Sequence, residues 1–185
     1  MKTLTTFLAT ALSAAALLTA ALLTAGCAAA PAPKSAPAPD LAHYRAVVIE
    51  SVRIAPEAGL LSTANRAALE RQLHVALVDS IPPAQRAVTP AADVVRVQVT
   101  VTALDAVDPV KNGVSTTLLG VPLDRGAIAF EARFYAADGS EPFATITEQR
   151  KAGAFAFAGS FSHYGHAVGA LHGWGAELAE VITRT

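Results

Sequence analysis

One cysteine, one methionine and one tryptophan are all that 185 residues hold of these types. With Cys27 alone there is no intramolecular disulfide, no multi-thiolate metal site and no redox pair. An excess of charge of either sign is also missing, with 14 basic against 15 acidic side chains. A nucleic-acid partner would call for a basic footprint, so none is expected. No phosphate-binding glycine loop, dinucleotide fingerprint or paired-carboxylate signature occurs. The stretch Ala158-Gly159-Ser160-Phe161-Ser162 is not the G-x-S-x-G elbow that exposes a nucleophilic serine. The chain therefore reads as no enzyme, with no cofactor.

What is present begins with an apolar leader. Lys2 supplies a positive end, Leu4 to Ala25 an apolar core, and Leu23-Thr24-Ala25-Gly26-Cys27 small residues before the only thiol. This pattern resembles the lipobox of bacterial lipoprotein signal peptides. The resemblance implies cleavage before Cys27 and a diacylglycerol on its sulfur. Two or three acyl chains anchor stably where one does not. Ala28 follows the cysteine, where Asp would favour inner-membrane retention, so the resemblance implies the outer membrane, periplasmic face. The alternatives are a retained span, for which about 20 apolar residues suffice, and a buried thiol. A cleaved leader fits the small residues better.

Residues 1–26 are thus the signal peptide, 27–40 the lipidated cysteine with its spacer, and 41–185 a single domain. The spacer Ala28–Asp40 reads AAAPAPKSAPAPD and cannot bury a core. Proline-rich chain of this kind is extended at about 3.1 Å per residue, a reach of roughly 40 Å.

From Leu41 the hydrophobic period alternates between strand and helix. Tyr44–Ile54 is β-branched and apolar at its centre, as in a strand covered on both faces. In 60–79, Leu69, Leu73, Ala76 and Leu77 recur at helical spacing, with Ser62 or Thr63 as N-cap. Pro82-Pro83 stops that helix. Across 93–104, Val95, Val97, Val99 and Val101 alternate with Arg96, Gln98, Thr100 and Thr102, which predicts a strand with one wet face. A long connection, 105–126, precedes a hairpin turning at Asp138-Gly139. Ile128, Phe130, Ala132 and Phe134 face inward there, Glu131 and Arg133 outward. From about Ser162 a closing helix presents Tyr164, Val168, Leu171, Leu178 and Ile182 on one stripe. The order β-α-β-β-β-α predicts a two-layer α+β domain, with two helices on one face of a mostly antiparallel four-stranded sheet.

Tyr44-Arg45-Ala46-Val47-Val48, the 93–104 strand, the 130–139 hairpin and a closing helix with Trp174 resemble a family of uncharacterised bacterial lipoproteins, the domain of unknown function thirty-three-thirteen. The resemblance spans most of the chain after the leader and brings no catalytic residues with it. The topology also looks like small periplasmic lipoprotein domains that serve envelope transport systems, and fold alone does not fix function.

Two segments are candidate contact surfaces. The first is the 105–126 connection, where Leu118, Leu119, Val121 and Leu123 are more apolar than a free loop requires, and which is either core or interface. The second is 153–175, which holds six of the 12 glycines and five of the 11 aromatics. Phe155, Phe157 and Phe161 form a patch if exposed. Gly165, Gly169 and Gly173 share one helical face, which implies either a helix pressed onto the sheet or a partner or membrane contact. Trp174 lies beside them. His163 and His166 are spaced i, i+3 on a polar helix surface, His172 points elsewhere, and without a carboxylate third they make no metal site. The chain is expected to be a non-enzymatic interaction module, anchored in the outer membrane, with an unidentified envelope protein as partner. A small-ligand or lipid carrier is the alternative, with Leu118, Leu119, Phe155 and Phe157 lining a cavity.

Overall fold

The computed structural model describes residues 39–59, 61–119, 126–151 and 162–183. Cys27, Val121, Leu123, Phe155, Phe157, Ser160 and Phe161 lie outside them. Four strands form one sheet in the order β1-β2-β3-β4: β1 Ala46–Ile54, β2 Val94–Leu104, β3 Ala127–Tyr135 and β4 Ala144–Lys151. β1 pairs in parallel with β2, and the other two pairings are antiparallel. Helix α1, Thr63–Ser80, makes the crossover that a parallel pair requires. The closing helix, α3, is Gly165–Thr183. The expected two-layer α+β architecture is observed, with one addition. The 105–126 connection contains a helix, α2, at Pro109–Leu119.

Local chemistry explains the element ends. The Ser62 hydroxyl accepts from the Asn65 N–H at 3.3 Å and caps α1. Ile81 and Pro82 leave the helix, and Pro83–Gln85 closes in a single 3-10 turn. The β3–β4 hairpin forms, but the strands are joined by residues 136–143 rather than by a two-residue turn at Asp138-Gly139. Within that loop the Gly139 N–H donates to the Ala136 carbonyl.

The core lies between the sheet and α1 with α3. Val95, Val97, Val99 and Val101 of β2 and Ile128, Phe130, Ala132 and Phe134 of β3 are fully buried under Leu73, Leu77, Leu171 and Trp174. Each such large apolar side chain contributes about 1.5–3 kcal/mol. The helices meet closely at Gly175, where an added Cβ would sit 2.7 Å from Leu77 Cδ1 and 3.1 Å from its carbonyl oxygen. The opposite face of the sheet is wet. There Arg96 holds Glu50 and donates to the carbonyls of Ala136, Ala137 and Gly139, pinning the hairpin loop. Gln98 donates to Glu50 at 2.8 Å. The guanidinium of Arg96 holds the Glu50 carboxyl below its ordinary value.

Candidate interaction surface

Helix α2 is assembled from short-range polar contacts. Asp108 Oδ1 accepts from the N–H groups of Val110 at 2.9 Å and Lys111 at 3.2 Å. Pro109 occupies the first helical position, where its missing N–H is no loss. These hydrogen bonds, first that from Lys111, hold the Asp108 carboxyl below its ordinary value. The base of the helix is tied to the domain through Val107, whose N–H donates to the His163 carbonyl at 3.0 Å. The His163 ring returns the contact, its Nδ1 lying 3.1 Å from the Val107 carbonyl. The Asp105 N–H donates to the Ala127 carbonyl, which also meets His166 Nε2 at 3.3 Å.

Gly126 is the one position here where glycine is required. Its φ is +51°, and an added Cβ would lie 2.7 Å from the His166 ring and from Val107 Cγ1. The two histidines expected on a polar helix surface therefore do different jobs. His163 precedes α3, and His166 is buried. Their rings address separate carbonyls, which makes them braces. No group of three metal-ligating side chains forms among the described residues.

The polarity of α2 is reversed. Asn112 and Ser115 are buried, while Val110, Val114, Leu118 and Leu119 are 74 %, 56 %, 75 % and 63 % exposed. Ser115 Oγ donates to the Asn112 carbonyl at 3.2 Å, and Thr117 Oγ1 to that of Gly113 at 2.8 Å. Val110, Val114 and Leu118 recur at i, i+4, i+8 and so form one row along the helix. Leu118 and Leu119 are thus surface, not core.

The other expected surface divides. Trp174 is core: it is 3 % exposed and meets Phe130 edge-on, with ring centroids 5.2 Å apart. Gly165 opens α3 and is half-buried. An added Cβ at Gly169 or Gly173 would meet nothing within 4 Å among the described residues. That row is not where α3 presses on the sheet. Gly175, off the row, makes the close approach instead. Val110 and Val114 were missed by sequence reasoning, although their spacing with Leu118 was available to it.

Residues 35–178 match the family described as protein of unknown function (DUF3313), and the chain belongs to that family. No curated protein matches. Among solved structures, the PelC dodecamer from Paraburkholderia phytofirmans is similar at 10 % identity and a TM-score of 0.48, covering 82 % of this chain and 97 % of that one. Protein XCC0632 from Xanthomonas campestris is similar at 13 % identity and a TM-score of 0.44, covering 79 % and 91 %. A neuraminyllactose-binding hemagglutinin homolog from Helicobacter pylori is similar at 11 % identity and a TM-score of 0.31, covering 82 % and 87 %. These likenesses carry no argument about what this chain does.

Proposed function

We propose that this protein is an outer-membrane lipoprotein whose periplasm-facing domain acts as a non-enzymatic interaction module of a cell-envelope system. The observation that carries the reading is the reversed polarity of α2. A helix that buries Asn112 and Ser115 while exposing Val110, Val114, Leu118 and Leu119 leaves an apolar row in water. Such a row has a free-energy reason to be covered. Lipidation of Cys27 supplies the anchor, and the proline-rich spacer sets its reach. The carrier alternative needs Leu118 and Leu119 turned into a cavity, and both face outward.

The test is site-specific photocrosslinking in cells that make the full chain. A photoreactive residue at position 114 or 118 is expected to give a discrete adduct. The same residue at Thr102, on the wet face of the sheet, is expected to give none. The 118 adduct is expected to fade when Cys27→Ser releases the protein from membranes. Equal labelling at 102 and 118 would remove α2 as the contact surface. A Cys27→Ser protein that stays membrane-bound with unchanged mobility would remove the lipid anchor.

A further inference from the structure

β1 is an edge strand whose one strand neighbour is β2. Its outer edge is already used by the chain in places. The Ala87 N–H donates to the Val47 carbonyl at 3.0 Å, and Val47 bridges Arg86 in parallel. At the far end Glu70 Oε1 accepts from the Ile54 N–H at 2.8 Å, and Arg66 donates to the Ile54 carbonyl. Between these ends the register of β1 slips at Glu50, the residue without a counterpart on β2. Alternate residues of a strand turn their main-chain groups to the same edge. The N–H and C=O of Val52 therefore point outward with those of Ile54.

A groove of about 390 Å³ opens beside Val52, between the edge of β1 and the flank of α1. Val52, Ala67 and Val75 make its lining largely apolar, and its charged residues are Arg53, Arg71 and Glu70, whose carboxylate is turned to the Ile54 N–H. Both arginines are exposed. Neither has an ion-pair partner among the described residues. Val52 and Ile54 point into the core, so Arg53 projects on the wet face of the sheet, while Arg71 belongs to the helical layer. Two unpaired cations thus flank one strand edge from opposite faces.

We propose that the edge of β1 at Val52 docks a short extended acidic segment of a partner protein, paired strand-wise between the contacts at Val47 and Ile54. An added strand sends successive side chains to opposite faces. Carboxylates at neighbouring positions then meet Arg53 and Arg71 together, and the main chain bonds to Val52. The bridge at Val47 is the same type of contact made within the chain.

The test uses the full chain in detergent and a fluorescein-labelled hexapeptide, Thr-Val-Asp-Glu-Val-Thr. Its anisotropy is expected to saturate, and the Val52 amide is expected to exchange more slowly in the complex. Replacing the peptide's Asp and Glu by Asn and Gln is expected to weaken binding about tenfold, as is Arg53→Gln with Arg71→Gln. Both arginines are exposed, so the double variant is expected to melt like the parent. N-methylation of alternate peptide nitrogens, which removes the ladder bonds, is expected to cause a similar loss. Equal binding of the N-methylated or the neutral peptide would overturn the proposal, as would the absence of saturable binding. Arginine-dependent binding of dodecanoate without peptide binding would overturn it in favour of an anionic amphiphile.

Discussion

Helices α2 and α3 carry similar residue types and bury opposite ones. α3 turns Leu171, Trp174, Leu178 and Ile182 inward, and its glycines Gly169 and Gly173 lie outward. α2 turns Asn112 and Ser115 inward and its valines and leucines outward. α3 lies across the sheet and is held by apolar area. α2 sits on a connection and is held by an Asp108 cap, reciprocal bonds between Val107 and His163, and a buried polar face. The inside of a helix is thus not set by composition alone, since α2 buries Asn112 and Ser115 with leucines at hand.

The strongest way to break this comparison is to truncate a large apolar side chain on α3. Trp174→Ala is expected to destabilise the domain by about 3–5 kcal/mol through the cavity left against Phe130. Urea unfolding followed by far-ultraviolet dichroism reads that change. The polar face of α2 comes next. Asn112→Ala is expected to lose about 1–3 kcal/mol, because the side chain is fully buried and its truncation empties that space. Gly126→Ala combines a left-handed backbone with overlap on His166, and a loss of about 1–3 kcal/mol is expected in the same titration. If either variant melts like the parent, the base of α2 is not rigidly held.

A smaller effect tests how α3 is fastened to β4. Arg150 grips Glu177 with two hydrogen bonds, of 2.8 and 2.6 Å, and holds its carboxyl below the ordinary value of 4.5. A depressed carboxyl stabilises the fold above its unfolded value and loses that contribution as pH falls through the folded one. Glu177→Gln is expected to lower stability by less than about 1 kcal/mol at neutral pH, since the glutamate is exposed and screened. The gap between variant and parent should narrow as pH falls below 4.5 and on through the folded value, and thermal melts across that acid range check it. The smallest effect is at the surface row. Leu118→Ser is expected to change stability by no more than about 0.5 kcal/mol while removing the crosslink at position 114.

Much of the fold was legible because its signals are periodic. The four valines of β2, the leucines of α1 and the alternation of Ile128 to Phe134 each match one face of one element. α2 was not legible for a physical reason. Pro109, Asn112 and Gly113 are weak helix formers, and the apolar residues that would mark a core stripe lie on the outside. His166 reads as an exposed polar residue until the tertiary fold brings the Ala127 carbonyl to its ring. Of the candidate contact residues, Leu118 and Leu119 lie on the surface proposed here. Trp174 went the other way, since a single large aromatic beside small residues has the same local sequence whether it faces a partner or Phe130.

The parallel pairing of β1 has a consequence for the order of assembly. β3 and β4 meet across one loop, Phe134 opposite Ala144, so their closure entropy is small. β1 must find β2 across α1 and the segment after it, with Ala46 opposite Val94. Contacts so far apart along the chain form late and slow the overall rate. β1 comes first in sequence and closes the longest loop in the sheet, so it is expected to pair last of the four strands, which amide exchange during refolding would show.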